Sequence, residues 1–472
     1  MFETIENVLY PIIYKFNEYI SNYLLVFMLT AVGLWYTFKT KFIQVRCFKD
    51  GFKYLFGNVS LFGKANKGSM TSFQALATAI AAQVGTGTII GSSAAILIGG
   101  PGAIFWMWLL AFLGMATIYA EATLAIKTRK IDEDGNIKGG SVYYIREAFK
   151  GKLGTFLAGF FAISIILALG FMGCMVQSNA ISFSIQSAFG IPTWIMGIFL
   201  VIASAAVFLG DIKRLASVTE KLVPIMAGLF IIGCLIVLIA RIKYIPETFH
   251  MIFKYAFEPQ AILGGGFWCA FKTAVSQGGK RGLFANEAGL GSTPHAHALA
   301  NVKTPHEQGT IAMMGVFLDT FIIITLNALV IISTLYTADG PLFNGYIGNI
   351  ATILNENNVV QISLSSVLGK SFGTMFIAIC LFFFGFSTIL SWNLFGKVNA
   401  VYLFSKIDSN KVKLIYTIIA LLFIMLGSML SSKIVWGLSD MFNNLMVIPN
   451  VLALFVLTKL VKSCYKESKN NQ

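Results

Sequence analysis

Residues 69–100 read SMTSFQALATAIAAQVGTGTIIGSSAAILIGG, an apolar run interrupted near its middle by Gln83-Val84-Gly85-Thr86-Gly87-Thr88. A lipid-crossing helix needs about 20 apolar residues, and this run is roughly half as long again. Two glycines and two hydroxyl residues of low helix propensity fall at its mid-depth. The pattern predicts a helix broken inside the membrane. An unpaired backbone group in hydrocarbon costs several kcal/mol, so a break persists only where the freed N–H and C=O groups meet a ligand, an ion or a protein-lined cavity. The break therefore marks a binding site.

The remainder of the chain supports that setting. Of 472 residues, 56% are hydrophobic and only 12% charged, far from the quarter or so of charged residues usual in soluble domains. Mean hydropathy is +0.75. The formal charge of +14 comes with no RNA- or DNA-binding motif, so its basic residues read as cytoplasmic anchors of a polytopic membrane protein and no nucleic-acid partner is expected. Cys47, Cys174, Cys234, Cys269, Cys380 and Cys464 are scattered singly, without the spacing of a disulfide framework or a metal site. Glu3, Glu6 and Glu18 lie ahead of the first apolar run, the reverse of a basic signal-peptide start, so the first helix is expected to stay.

Hydropathy delimits eleven segments, at 23–38, 69–98, 102–126, 153–183, 191–210, 222–240, 262–297, 310–335, 372–396, 414–430 and 435–460. The loops between them are too short for a soluble nucleotide-hydrolysing domain, which leaves an ion gradient or the substrate's own gradient as the energy source. Alternate loops carry 26 Lys and Arg on one side against 6 on the other. The positive-inside rule then puts the N-terminus outside and the C-terminus in the cytoplasm of a cell-membrane protein.

The seventh segment is the second anomaly. It contains Gly264-Gly265-Gly266 and then Gln277-Gly278-Gly279-Lys280-Arg281-Gly282-Leu283-Phe284-Ala285-Asn286-Glu287-Ala288-Gly289, too polar and glycine-rich for a plain lipid-facing helix. Alone it would also suit a re-entrant loop. The two interrupted segments are five crossings apart, an odd number, so equivalent helices in two consecutive units run in opposite directions. That is the layout of an inverted-repeat secondary transporter with its site at two broken helices.

Several blocks carry a family resemblance. Gln83-Val84-Gly85-Thr86-Gly87, the stretch Gly99-Gly100-Pro101-Gly102-Ala103-Ile104-Phe105-Trp106-Met107-Trp108, Arg281 to Gly291, and Phe386-Ser387-Thr388-Ile389-Leu390-Ser391-Trp392 resemble signature blocks of the alanine or glycine:cation symporters. Val218-Thr219-Glu220-Lys221-Leu222-Val223-Pro224 and Leu445-Met446-Val447-Ile448-Pro449-Asn450 are further matches. The resemblance implies an all-α membrane protein of the leucine-transporter fold, eleven helices with one extra N-terminal helix before a five-plus-five inverted repeat. It also implies a prokaryotic source and sodium-coupled uptake of small neutral amino acids. On that layout, residues 1–68 form the N-terminal helix and a cytoplasmic loop, 69–240 the first repeat, 241–460 the second, and 461–472 a cytoplasmic tail. The chain departs from the family pattern at Thr88, where Asn is usual, and at Lys397, where Glu is frequent.

An amino-acid zwitterion needs two opposite recognitions, and broken helices supply both: N–H groups for the carboxylate, exposed carbonyls for ammonium and sodium. Gly85 and Gly87 permit close backbone approach, while Thr86 and Thr88 add hydroxyl oxygens. The glycines would equally suit close helix packing. By resemblance, sodium lies between the first break and the hydroxyl pair Ser387 and Thr388, with the carbonyls of Ala81, Val84 and Phe384 completing an oxygen cage. Trp392, one turn after Thr388, and Phe284, beside the second break, are expected pocket walls; the resemblance implies Gln177, rather than Asn179, as an amide contact. Asp319, close to mid-membrane, joins Thr88 as a possible second sodium site or belongs to a structural pair. Glu121 and Glu287 are expected near cytoplasmic ends, stabilising helix contacts or the inner gate. His295 and His297, two residues apart, share no helical face and do not suggest zinc.

These features predict a sodium-driven symporter of alanine or glycine that works by alternating access, with sodium as coupling ion and no organic cofactor or obligate protein partner. Proton coupling, or another small neutral substrate such as glutamine or serine, is the alternative. A channel would need a continuous polar pore, and an enzyme a nucleophile or paired-carboxylate constellation; neither is visible.

Overall fold

The computed structural model describes residues 2–57, 69–133, 137–210, 212–258, 267–337, 340–343, 354 and 358–470. Helices make up nearly all of it. Among the described residues, eight helices are long and apolar enough to cross a membrane: Ser72–Gly99, Ala103–Thr128, Gly151–Phe189, Ile212–Ala240, Pro305–Leu335, Lys370–Leu403, Ser409–Met429 and Ile434–Val456. They coincide with eight of the eleven hydropathy segments. The first and fifth segments are the shorter apolar helices Val26–Lys39 and Thr193–Phe208. The seventh contains Phe267–Asn286, and its Gly264-Gly265-Gly266 lies outside the described residues.

The first break falls where the sequence puts it. Ser72–Gln83 opens on a capping box, in which Thr71 Oγ1 accepts from Gln74 N and Gln74 Oε1 accepts from Thr71 N, both at 3.1 Å. It closes at Val84, and a second helix runs Thr86–Gly99. Side chains satisfy the groups freed between them. Gln177 Oε1 accepts the Thr86 N–H at 3.1 Å, Thr88 Oγ1 donates to Gln83 O at 3.0 Å, and Thr388 Oγ1 donates to Ala81 O at 2.8 Å.

The second break differs from the sequence reading. The glycine cluster Gly278-Gly279 and Gly282 stays helical, because small residues let this helix press on its neighbour: a Cβ on Gly282 would stand 3.2 Å from the Met107 Cα. The chain turns only after Asn286, where Glu287, Gly289 and Gly291 take φ of +56°, +88° and +78°. One short turn, Pro294–His297, follows. Ala300–Asn301 then pairs in parallel with Met70–Thr71, tying the end of the second broken segment to the start of the first.

Wide π turns interrupt two spans, at Ile166–Gly173 and Phe317–Ile324. Both lie beside the first break, since Gly173 packs on Trp392 and Asp319 reaches Thr88.

Candidate functional site

The two breaks bound one cavity of about 50 Å³. At roughly 10–15 Å³ per water, that is room for a few waters, the scale of a very small solute. From the first break Gln83, Gly85, Gly87 and Thr88 line it; from the second segment, Arg281, Ala285, Glu287 and Leu290. Gln177, Trp392 and the 436–443 stretch close the remaining walls.

The two glycines of the first break play different parts. A Cβ on Gly85 would stand 2.6 Å from Thr388 Oγ1, so glycine is needed for the break to touch the Lys370–Leu403 helix. A Cβ on Gly87 would meet nothing within 4 Å, because Gly87 faces open space. Gln177 Oε1 accepts from both the Thr86 N–H and, at 2.8 Å, the Thr86 hydroxyl. It therefore caps the Thr86–Gly99 helix as well as lining the cavity. Asn179 instead donates to Gly427 O and Leu430 O.

Three of the oxygens expected to hold sodium converge. Thr388 Oγ1 lies 2.8 Å from Ala81 O and 2.9 Å from Phe384 O. The Ser387 hydroxyl joins them through Phe384 O at 2.9 Å and also contacts Met226 Sδ at 3.3 Å. Val84 ends its helix in the break, its N–H still donating to Ile80 O at 2.7 Å. These are hard oxygen donors of the kind a group-1 or group-2 cation takes.

A second oxygen cluster lies beside it. Thr88 Oγ1 is 2.9 Å from Asp319 Oδ1, and Thr320 Oγ1 donates to Asp319 Oδ2 at 3.0 Å. Gln83 Nε2 donates to Asn286 O at 2.9 Å, which bonds the first break to the second, while Gln83 Oε1 is buried without a partner among the described residues. Sequence brings Thr88 and Asp319 together only through a fold resemblance; here they touch.

Glu287, expected near a cytoplasmic end at helix contacts or the inner gate, lines the cavity, 1% exposed, with Oε1 accepting from Trp392 Nε1 at 2.5 Å and Oε2 from Ser292 Oγ at 2.6 Å. The late turn puts it there: because the glycine cluster remains helical, the chain turns at Glu287, on the cavity that the first break also lines. Glu121 stays in the supporting role. It accepts from Gly289 N and Gly291 N at 3.0 Å and from Asn450 Nδ2 at 2.7 Å, pinning the second break. Among the described residues, Glu121, Glu287 and Asp319 form no ion pair, although each is buried.

Trp392 lines the cavity, its indole against Gly173 and its N–H on Glu287. The side chain of Phe284 lies outside the described residues. Arg281 and Asp440 also line the cavity, and the sequence reading gave neither a site role. Their signal was available, since an ionisable residue within an apolar segment marks function by default. His295 bonds Ser292 O and Asn399, and His297 bonds Gln308, so the two imidazoles face different partners. Lys397 Nζ donates to Phe208 O at 2.8 Å, anchoring the Lys370–Leu403 helix to the end of Thr193–Phe208.

The chain is similar to known transporters. The sequence pattern of the sodium:alanine symporter family matches residues 6–472. The sodium/alanine symporter AgcS of Methanococcus maripaludis is 36% identical over 460 residues, covering 97% of both chains. GlnT of Bacillus subtilis, described as a probable sodium/glutamine symporter, is 35% identical over 452 residues, 96% of this chain and 89% of its own. Among solved structures, MhsT in complex with L-phenylalanine superposes with a TM-score of 0.58 at 15% identity, over 83% of this chain and 90% of that one. That likeness shows the leucine-transporter fold and nothing of the substrate. A family match across nearly the whole chain, joined to relatives above 30% identity over nearly their full lengths, makes this protein a member of the sodium:alanine symporter family, a membrane transporter and not an enzyme.

Proposed function

We propose that the protein is a sodium-coupled symporter that takes up alanine or glycine. The observation that carries this reading is the cavity between two breaks, a few waters in size, walled by Trp392 and flanked by the converging oxygens of Ala81, Phe384 and Thr388. Sodium bound there, with Ser387 and Val84 completing the cage, holds the first break against the Lys370–Leu403 helix. The amino acid then occupies the space in front of Gly87, with Gly85, Thr86, Gln177, Phe284 and Trp392 around it. Thr88 and Asp319 form a second cation site. Rocking of one helical bundle against the other then opens the site to the opposite side.

The reading includes eleven crossings of the cell membrane, the N-terminus outside, the C-terminus cytoplasmic, and two inverted repeats over 69–240 and 241–460. Its support is the charge asymmetry of the loops, the match of eight apolar helices to the hydropathy segments, and the fold of MhsT. Glutamine is the second substrate reading, favoured by the likeness to GlnT and opposed by the small cavity. Uptake of radiolabelled alanine, glycine and glutamine into proteoliposomes, with sodium and proton gradients imposed separately, tests substrate and coupling together. Alanine uptake driven by a proton gradient alone would sink sodium coupling. Glutamine uptake without alanine uptake would sink the small-substrate reading.

A further inference from the structure

The geometry points to Glu287 as the group that binds the substrate's ammonium, so that its carboxylate selects amino acids over amine-free acids of the same size. The inference rests on the proposed amino-acid cavity and adds to it a residue that the fold resemblance does not assign. Glu287 lines the cavity, is 1% exposed and forms no ion pair among the described residues. Among the described residues, its two oxygens accept from neutral donors, the Trp392 indole and the Ser292 hydroxyl, each of which leaves carboxylate lone pairs free. An ionised carboxylate in a dry site needs a cation, and the substrate brings one.

The backbone supports the same assignment. Glu287 is held at φ +56°, a conformation a long side chain avoids, and such strain is kept where it positions a functional group. The opposite charge lines the same cavity: the guanidinium of Arg281 lies over the Trp436 ring, 5.7 Å from its centroid. A cavity lined by both Glu287 and Arg281 offers a partner to each charge of a zwitterion. Asp440 also lines the cavity, but it is half-buried and keeps more of its hydration, so it attracts an ammonium less strongly.

Glu287→Gln is the informative variant, because the amide oxygen still accepts from Trp392, the Ser292 hydroxyl can turn to accept from the amide nitrogen, and the negative charge is lost. Binding to the purified protein at saturating sodium is measured for alanine and for propionate, which keeps the carboxylate and methyl group and lacks the ammonium. Charge-assisted hydrogen bonds in buried sites predict a loss of alanine affinity of about ten- to a hundredfold, with weak propionate binding unchanged. Unchanged alanine affinity overturns the assignment, and so does an equal loss for both ligands, which would mark a role in shaping the pocket. If the Gln variant does not fold, Glu287→Asp retracts the carboxylate by one methylene and is expected to weaken alanine selectively; equal weakening of both ligands again overturns it. A parent protein that binds sodium but no small neutral amino acid would overturn the cavity reading itself, and this proposal with it.

Discussion

At the first break, one methyl group distinguishes the two glycines. On Gly85 it would press on Thr388 Oγ1 from 2.6 Å; on Gly87 it would enter open cavity. Gly85→Ala is therefore expected to raise the sodium concentration needed for half-maximal uptake, since Thr388 must move away from Ala81 O. Gly87→Ala should leave sodium-dependent thermal stabilisation intact while depressing alanine uptake more than glycine uptake, because the added methyl takes the space of the substrate's own. Parental sodium dependence in Gly85→Ala, or equal losses for the two substrates in Gly87→Ala, would contradict this division. Thr88 carries a second test. Its hydroxyl contacts both Gln83 O and Asp319 Oδ1, so Thr88→Val removes an oxygen from the proposed second site at nearly constant volume. Sodium cooperativity is expected to fall in Thr88→Val and to rise in Thr88→Asn, with the reversal potential of alanine flux counting the ions. Identical stoichiometry and affinity in both variants would reduce Thr88 to a packing residue.

Among the elements, the legible ones were those with local causes. Excess length, a glycine pair and hydroxyls put the first break within residues 83–88, and the helix is interrupted at Val84 and Gly85; Thr388 and Trp392, one helical turn apart, both come to that region. The second break was legible as an anomaly but not in position. Glycines can break a helix or let it pack, and only the neighbouring Ala103–Thr128 helix shows that Gly278 and Gly282 do the second. The π turns at Ile166–Gly173 and Phe317–Ile324 carry no sequence signature, although one presents Asp319 to Thr88 and the other ends on the glycine that seats Trp392. Glu121 shows what holds a break that has few hydrogen bonds of its own. Asn450 supplies its third donor and also donates to Gly289 O at 2.8 Å. Asn450→Ala should cost about 1–3 kcal/mol for the donor lost to a buried carboxylate, read as a lowered Tm in detergent. A Tm equal to the parent's would mean that the Glu121 contacts to Gly289 and Gly291 suffice alone.

Across the whole molecule, the same network ties together parts that alternating access must separate. Tyr144, on the short helix Ser141–Ala148 between two spans, donates to Ser141 Oγ or Asn450 Oδ1, at 2.8 and 2.5 Å. Ser141 in turn donates to Gly291 O. Loop helix, second break, Glu121 and the Ser432–Val456 helix are thus bonded on the side proposed to face the cytoplasm, and substrate release there requires these bonds to open. Among the described residues, the hydroxyl of Tyr144 is the group of the loop helix that hydrogen-bonds Asn450, and it is fully buried, so removing it costs contacts without adding bulk. Tyr144→Phe should therefore shift the population toward the open form. The expected readout is faster amide exchange over residues 287–297 in the absence of sodium, with parental protection restored when sodium and alanine are added, because ligand-induced closure of the breaks opposes the shift. Exchange rates that match the parent's without sodium would show that the network is a static brace, and that the conformational change pivots elsewhere.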